Sequence, residues 1–249
     1  MLEVLNLTKS FNKNSPNEVL AIKDCSLKIP DEEFLVIIGS NGSGKSTLLN
    51  LIAGAYAPDR GKILIGTTDV TNQQNFKRSK YISRVFQDPM AGTAPDLSIL
   101  DNFRLAALRT KRKTLRTGMQ SQFRMKVQKR LKILGLGLEN KLETLVGKLS
   151  GGQRQALTLL MSVMDDSAIL LLDEPTAALD PGSSEKIIKI AEDVIKELKL
   201  TAVLVTHNMQ YAVRLGSRLV LMKDGKIHKD FGTSEKEKLK VVDLFEWFT

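Results

Sequence analysis

The sequence is poor in the residues that crosslink a chain, bind zinc or hold it in a membrane. Cys25 is the single cysteine among 249 residues, which excludes an internal disulfide and suits a reducing cytosol. Together with only two histidines, it supplies too few ligands for a zinc site of the usual kind. The longest apolar runs, such as residues 168–172, fall far short of the roughly 18–20 residues that cross a bilayer. No basic region followed by an apolar stretch opens the chain, so we expect no signal peptide.

Acidic residues are outnumbered, with 28 Asp and Glu against 37 Lys and Arg, and the net charge is +9. A positive balance suits nucleic acid, an anionic membrane surface or nucleotides, and composition does not choose among them. Residues 104–132 hold many of the basic side chains and no acidic one. We interpret this stretch as a solvated helix face, with a surface for anionic lipid headgroups or RNA as the alternative.

A glycine-rich loop at residues 39–46 fits the pattern G-x-x-x-x-G-K-[ST]. It follows the apolar run 34–38, which predicts a buried strand, and precedes leucines at helical spacing. This strand–loop–helix context predicts a phosphate cradle in which backbone N–H groups and the Lys45 ammonium bind the phosphates, and the Ser46 hydroxyl ligates Mg²⁺. The alternative is a flexible turn with Lys45 solvated. The predicted phosphate contacts are Gly39, Ser40, Asn41, Gly42, Ser43, Gly44, Lys45, Ser46 and Thr47.

Two carboxylates, Asp173 and Glu174, follow directly on the apolar run 168–172. The carboxyl ends of parallel strands are where such sheets bind ligands. Beside a phosphate loop, Asp173 would hold Mg²⁺ and Glu174 would polarise a water for attack on the γ-phosphate. A helix cap or a surface pair of acids is the alternative.

Gln87 and His207 end two further predicted strands, at residues 81–86 and 201–206. The Gln87 amide would ligate Mg²⁺ and orient a water, and His207 would donate to a γ-phosphate oxygen. Each also has an ordinary interpretation, as a polar surface amide and as a structural hydrogen-bonder.

Residues 149–153 read Leu-Ser-Gly-Gly-Gln and precede an apolar helix predicted at 155–164. Ser150 is a good N-cap, and the glycines expose backbone N–H groups, so this is a second helix start that suits an anion. A Ser-Gly-Gly cap without a ligand is equally compatible with the pattern.

The remaining pattern predicts short strands near the N-terminus, at 2–7, 19–22, 26–29 and 61–66, with a break at residues 9–12. A mostly helical insert is predicted over about 98–148. A helix over 181–198 and a hairpin at 219–228 follow. Strand–helix–strand patterns on both sides of the insert predict one parallel sheet built from both ends of the chain.

Taken together, these motifs resemble the nucleotide-binding subunit of ATP-binding cassette (ABC) transporters over essentially the whole chain. In chain order they are the phosphate loop 39–47, Gln87, the signature 149–153, the Walker B strand 169–174, the segment 178–180 with Asp180, and His207. The resemblance implies an α/β fold with a P-loop NTPase (RecA-like) core, an N-terminal antiparallel β-subdomain and an inserted α-helical subdomain. The core with its β-subdomain would span residues 1–87 and 154–249, and the helical signature subdomain 88–153.

The resemblance also implies roles that spacing alone does not. ATP would lie between two copies of the chain, with the phosphate loop of one facing Ser150, Gly151, Gly152 and Gln153 of the other. Phe11 would stack on adenine; it stands where the family more often has tyrosine, and a core phenylalanine is the alternative. Asp180 would communicate between the two sites. Glu174, His207 and Gln87 would be catalytic, and Ser46, Gln87 and Asp173 would hold Mg²⁺.

The expected partners are a second copy of the chain, integral membrane permease subunits and an extracytoplasmic solute-binding protein, at the cytoplasmic face of the membrane. Import of an amino-acid-like solute is the favoured function, because residues 87–95 resemble cassettes that are paired with amino-acid-type lipoprotein binding subunits. The first alternative is an ABC ATPase that acts on nucleic acid or ribosomes, which the basic stretch favours slightly and the lack of fused cassettes, coiled coils or zinc modules opposes. A P-loop kinase would have no use for the signature, and a nucleotide-sensing scaffold would have no use for Glu174.

Overall fold

A six-stranded sheet forms the centre of the computed structural model, which describes residues 1–108, 121–164 and 167–247. Its strand order is β10-β9-β3-β8-β7-β6, and all neighbours are parallel except the β9–β10 hairpin. The strands are β3 (Phe34–Ile38), β6 (Ile82–Val85), β7 (Ile169–Asp173), β8 (Thr201–Val205), β9 (Arg218–Lys223) and β10 (Lys226–Phe231). The predicted sheet built from both ends of the chain is therefore present.

A second sheet is antiparallel, in the order β2-β1-β4-β5. It consists of β1 (Leu2–Phe11), β2 (Val19–Ile29), β4 (Arg60–Ile65) and β5 (Thr68–Asp69). The break predicted at residues 9–12 is wrong, because β1 continues to Phe11, and the two strands predicted within 19–29 are one. The pairing of β1 with β2 shifts register at several points, and Asn6 and Asp24 have positive φ. These irregularities let the two strands stay paired through polar residues that the sequence pattern had placed outside a strand.

The described helices are α1 (Lys45–Ala53), α2 (Asn75–Arg78), α3 (Ile99–Ala107), α4 (Ser121–Lys132), α5 (Gly151–Ser162), α6 (Pro181–Glu197), α7 (Met209–Arg214), α8 (Thr233–Lys236) and α9 (Val241–Phe245). Single 3₁₀ turns lie at Leu138–Asn140 and Val146–Lys148. Helix α5 begins four residues before the predicted Gln155 because Ser150 caps it directly and both glycines are helical. Within the described ranges, no helix has the length and apolar character needed to span a membrane.

The central sheet separates two apolar cores, since successive side chains of a strand point to opposite faces. Leu35 and Ile37 pack with α1 and the antiparallel sheet on one face. Val36 and Ile38 pack on the other face with the helices that follow β6. Because β3 and β7 are buried on both sides, their carboxyl ends lie at one fixed edge of the molecule.

The helical region after β6 packs through Phe103, Val127 and Leu131, which are fully buried. Met125 and Ile133 are exposed, because α4 turns Val127 and Leu131 inward. Among the described basic residues of the stretch, Lys126, Lys129 and Lys132 are exposed, whereas Arg104, Arg124 and Arg130 are half-buried. Other members of the basic stretch lie outside the described residues: Arg109, Lys111, Arg112, Lys113 and Arg116.

Candidate active site

A cleft of about 740 Å³ opens at the carboxyl edge of the central sheet. It brings together residues that lie far apart in the sequence, from the end of β1, the glycine loop and the ends of β6, β7 and β8. Its lining is Phe11, Val19, Ala21, Asn41, Gly42, Gly44, Lys45, Ser46, Thr47, Gln87, Glu174 and His207.

The loop between β3 and α1 needs glycine at two positions, because backbone carbonyl oxygens of other segments lie too close for a side chain. A Cβ on Gly39 would lie 2.4 Å from the Met222 carbonyl oxygen, and one on Gly44, whose φ is +102°, would lie 2.7 Å from the Ala21 carbonyl oxygen. The loop is thus wedged between β2 and the β9–β10 hairpin, where Gly225 N–H donates to the Ser43 carbonyl at 3.1 Å. Residues with side chains do not fit this path.

Lys45, the first residue of α1, is 6 % exposed, and its Nζ donates to the carbonyl oxygens of Gly39 (2.8 Å) and Ser40 (3.0 Å). Burial lowers its pKa, and the nearby carboxylates of Glu174 and Asp173 act in the opposite direction. Two neutral carbonyls are weak partners for a buried ammonium. A phosphate oxygen would supply the anion that this charge lacks within its loop.

Ser46 and Asp173 meet beside Lys45, with Ser46 Oγ donating to Asp173 Oδ1 at 3.3 Å. The other carboxylate oxygen, Oδ2, accepts from Arg84 Nη2 at 2.6 Å. No cluster of three or more His, Cys, Asp or Glu side chains occurs among the described residues. The donor set nevertheless fits Mg²⁺, which prefers oxygen ligands and usually keeps waters and substrate phosphates in its shell. Sequence reasoning missed Arg84, whose only signal was a charge inside a strand.

Glu174 and His207 follow the neighbouring strands β7 and β8, and Glu174 Oε2 lies 3.1 Å from His207 Nδ1. Glu174 has φ +46°, which turns the chain away from the strand, and its N–H donates to the Val205 carbonyl at 3.0 Å. Left-handed backbone is rare for a residue with a side chain, and it clusters at functional sites. Two of the three predicted catalytic side chains, Glu174 and His207, therefore come together.

Gln87 lines the same cleft, and the residue before it is tied to α5. Gln155 Nε2 donates to the Phe86 carbonyl oxygen at 3.1 Å, and Gln155 is fully buried. Sequence reasoning missed Gln155, because one polar residue in an apolar helix carries no motif of its own. This contact connects the signature helix to the segment that places Gln87.

Phe11, at the end of β1, is half-buried and lies at the mouth of the cleft. Its ring meets Tyr56 edge to face at a centroid distance of 5.2 Å, and the Lys9 ammonium lies 5.5 Å from it. The ring is thus available at the cleft, unlike a core phenylalanine.

The signature residues lie elsewhere. Ser150 Oγ accepts from Gln153 N–H at 3.3 Å, and Gln153 Oε1 accepts from Ser150 N–H at 3.2 Å, which forms a capping box. None of the residues 150–153 lines the cleft. Asp180 caps α6 and accepts from Ser183, whose hydrogen bonds lower the Asp180 pKa. One chain therefore does not bring Ser150, Gly151, Gly152, Gln153 or Asp180 to the phosphate loop.

Comparison with known proteins adds to this geometry. A family model described as "ABC transporter" matches residues 22–177. The chain is 40 % identical over 250 residues to a tyrosine transport ATP-binding protein of Clostridioides difficile (strain R20291), covering all of this chain and 98 % of the relative. It is 35 % identical to the thiamine import ATP-binding protein ThiQ of Chelativorans sp. (strain BNC1), covering 84 % and 80 %.

Among solved structures, the chain resembles the dimeric ATP-binding cassette MJ0796 in a post-hydrolysis state with ADP and Pi. The TM-score is 0.80 at 30 % identity, over 94 % of this chain and 99 % of that one. This similarity confirms the predicted fold class, a P-loop NTPase core with an antiparallel β-subdomain and an inserted helical subdomain.

Proposed function

The chain belongs to the ABC transporter family, in which it is an ATP-binding, ATP-hydrolysing subunit, and we propose that it drives import of an amino-acid-like solute through separate membrane subunits. The observation that carries the nucleotide-driven part of this proposal is the meeting of Lys45, Glu174 and His207 in one cleft while the signature lies outside it. The names of the tyrosine transport and thiamine import relatives support the direction and the solute class.

ATP binding follows from the lining of the cleft. The loop N–H groups, the N-terminus of α1 and the Lys45 ammonium receive the phosphates, since together they offer fixed positive charge. Phe11 offers a ring face to adenine at the opposite end.

The metal would be Mg²⁺, and Ser46, Asp173 and Gln87 would hold it. Its chemistry is to neutralise charge on the phosphate oxygens. Asp173 Oδ1 already faces Ser46 Oγ, so these two oxygens need little rearrangement to share one ion.

Hydrolysis uses Glu174 as general base. The water oxygen bonds to the γ-phosphorus, the bond from that phosphorus to the β–γ bridging oxygen breaks, and Glu174 accepts the water proton. His207, 3.1 Å from Glu174, donates to a γ-phosphate oxygen and holds the carboxylate in place. The products are ADP and inorganic phosphate.

The site is completed by a second copy of the chain. Ser150 and Gly151 are exposed at the start of α5, where the positive end of the helix favours anions. In the dimer, Ser150, Gly151, Gly152 and Gln153 of one copy contact the γ-phosphate bound to the other, and Asp180 lies between the two sites.

The membrane subunit docks in a second cleft of about 980 Å³, between the end of β6, α3 and α5. Its rim carries Phe76, Leu105 and Leu108, which are 66 %, 55 % and 46 % exposed. Exposed apolar side chains around one groove mark interaction sites. We assign residues 88–153 to the helical subdomain, which contributes Leu105 and Leu108 to this surface, and residues 1–87 and 154–249 to the core, which contributes Phe76. Docking holds the chain at the cytoplasmic face of the membrane, and a solute-binding protein acts on the other side.

Coexpression with a candidate permease for an amino-acid-like solute tests this proposal. The wild type is expected to copurify with the permease, and Leu105→Glu is expected to lose it while retaining ATP affinity. Val242→Glu is the matched control and should copurify, because Val242 is also an exposed apolar residue on a helix, α9. Equal recovery of both variants would contradict the docking site. Salt-sensitive RNA binding without permease association would contradict transport.

A further inference from the structure

Arg84 lies on β6, the edge strand, beside the proposed metal ligand Asp173. In the parallel register Arg84 pairs with Leu171, and Asp173 is two residues further along β7. Because side chains alternate along strands, Arg84 and Asp173 project from the same face of the sheet, the face that α1 covers.

The Arg84 guanidinium makes two short contacts with different elements. Nη2 donates to Asp173 Oδ2 at 2.6 Å, and Nη1 donates to Asn50 Oδ1 at 2.6 Å. Asn50 lies one turn after Ser46 on α1, so the guanidinium spans two of the elements that carry proposed metal ligands, α1 and β7. The Phe86 ring lies 4.8 Å from the guanidinium carbon and limits its movement.

Stability alone accounts poorly for a charge at this position. The Arg84 and Asp173 side chains are 13 % and 11 % exposed, and the desolvation of such a pair offsets most of its attraction. Arg84 Nε is buried without a hydrogen-bond partner, which adds a further cost. The arrangement does, however, leave Asp173 Oδ1 on the side of Ser46 Oγ.

We propose that Arg84 is a positioning residue for Mg²⁺: by holding Asp173 Oδ2, it turns Oδ1 toward Ser46 in the orientation that the ion needs. This inference rests on the proposed Mg²⁺-dependent ATPase site. Partners that orient a metal ligand typically change metal affinity by roughly 10–100-fold when they are removed. Arg84 is not among the residues that line the nucleotide cleft, so its loss acts on the metal and leaves nucleotide contacts intact.

The test is binding of Mn²⁺ to the ADP complex, measured by electron paramagnetic resonance. Arg84→Met should raise the Mn²⁺ dissociation constant roughly 10–100-fold, while ADP affinity in EDTA stays unchanged. Arg84→Lys keeps the charge without the two-armed geometry and should fall between the wild type and Arg84→Met. In steady state, the Mg²⁺ concentration for half-maximal ATPase should rise, and kcat at saturating Mg²⁺ should change little.

Arg218→Met is the matched control, because Arg218 is also a partly buried arginine paired with carboxylates, Asp230 and Glu33. It should bind Mn²⁺ as the wild type does. Equal Mn²⁺ affinity in wild type and Arg84→Met would overturn the inference and leave the ATPase assignment intact. If Arg84→Met does not fold, Asn50→Ala, which removes one arm, should still weaken Mn²⁺, and unchanged affinity there would also overturn it. A wild-type ADP complex that binds no Mn²⁺ would overturn the metal site and the inference together.

Discussion

At the scale of single residues, Glu174 has an unusual backbone and a defined partner. Its positive φ turns the carboxylate out of the strand, and His207 Nδ1 lies 3.1 Å away. Glu174→Gln keeps the size and the hydrogen bond but removes the base. We expect ATP turnover to fall by about 10²–10⁴-fold, or roughly 3–5 kcal/mol of barrier, with ATP affinity retained.

Phosphate release and nucleotide binding, measured on the same samples, check this expectation. Glu197→Gln, at the exposed end of α6, is the control and should turn over ATP normally. Turnover near the wild-type rate in Glu174→Gln would remove Glu174 from the role of base.

Gly44 has no room for a side chain, since its φ is +102° and a Cβ would lie 2.7 Å from the Ala21 carbonyl oxygen. Left-handed backbone alone costs roughly 1–2 kcal/mol with a side chain, and the clash adds to it. Gly44→Ala should therefore distort the loop and weaken ATP binding by at least about tenfold, which corresponds to 1.4 kcal/mol.

Gly66→Ala is the control, because Gly66 also has positive φ (+58°) but open space around its Cβ. It should lose a comparable amount of backbone stability and bind ATP normally. ATP affinity is measured by equilibrium fluorescence titration. Equal affinities in the two variants would show that the phosphate loop still binds ATP with a side chain at position 44.

At the scale of elements, Arg78 joins α1 to the segment after β5. It is 1 % exposed and donates to the carbonyl oxygens of Leu51 (2.6 Å), Ile52 (2.8 Å), Thr71 (2.8 Å) and Gln73 (2.9 Å). It thereby satisfies carbonyls at the end of the helix that begins at the phosphate loop.

Arg78→Met should lower the free energy of unfolding by about 2–4 kcal/mol, because buried carbonyls lose their donors. Arg214→Met is the control, since Arg214 pairs with Glu185 at the surface and should lose at most about 1 kcal/mol. Urea denaturation of both variants measures the difference. A loss of unfolding free energy no larger than that of Arg214→Met would mean that water molecules satisfy these carbonyl oxygens when Arg78 is absent.

Elements with strong local patterns were predictable from the sequence. The apolar runs gave β3, β7 and β8, and the spacing before Leu198 gave α6. The course of β1 past Lys9 was not predictable, because its irregular register with β2 depends on contacts with a distant segment. Motifs likewise predicted the site residues Lys45, Glu174 and His207. Arg84 and Gln155 were not predictable, because their contacts exist only once β6, β7 and α5 have packed together.

At the scale of the whole molecule, the proposed site is divided between two surfaces. The cleft holds Lys45 and Glu174, and the start of α5 with Ser150 lies outside it. Near Ser150, a Cβ on Gly151 would lie 3.5 Å from Leu179, next to Asp180. The signature and the Asp180 segment thus form one continuous surface that a second copy can present to the cleft.

Ser150→Arg in the Glu174→Gln background tests this division. Glu174→Gln alone should form a dimer with ATP, because the nucleotide joins the two copies and is not hydrolysed. The added arginine places a bulky cation at the helix start and should prevent the dimer. ATP binding to the monomer should persist, since Lys45 and the loop are untouched.

Size-exclusion chromatography with light scattering, run with and without ATP, measures the mass of the dimer or monomer. The exposed Glu197→Ala in the same background is the control and should leave the dimer intact. An ATP-dependent dimer of undiminished stability in the Ser150→Arg variant would mean that the signature does not contact the nucleotide of the second copy.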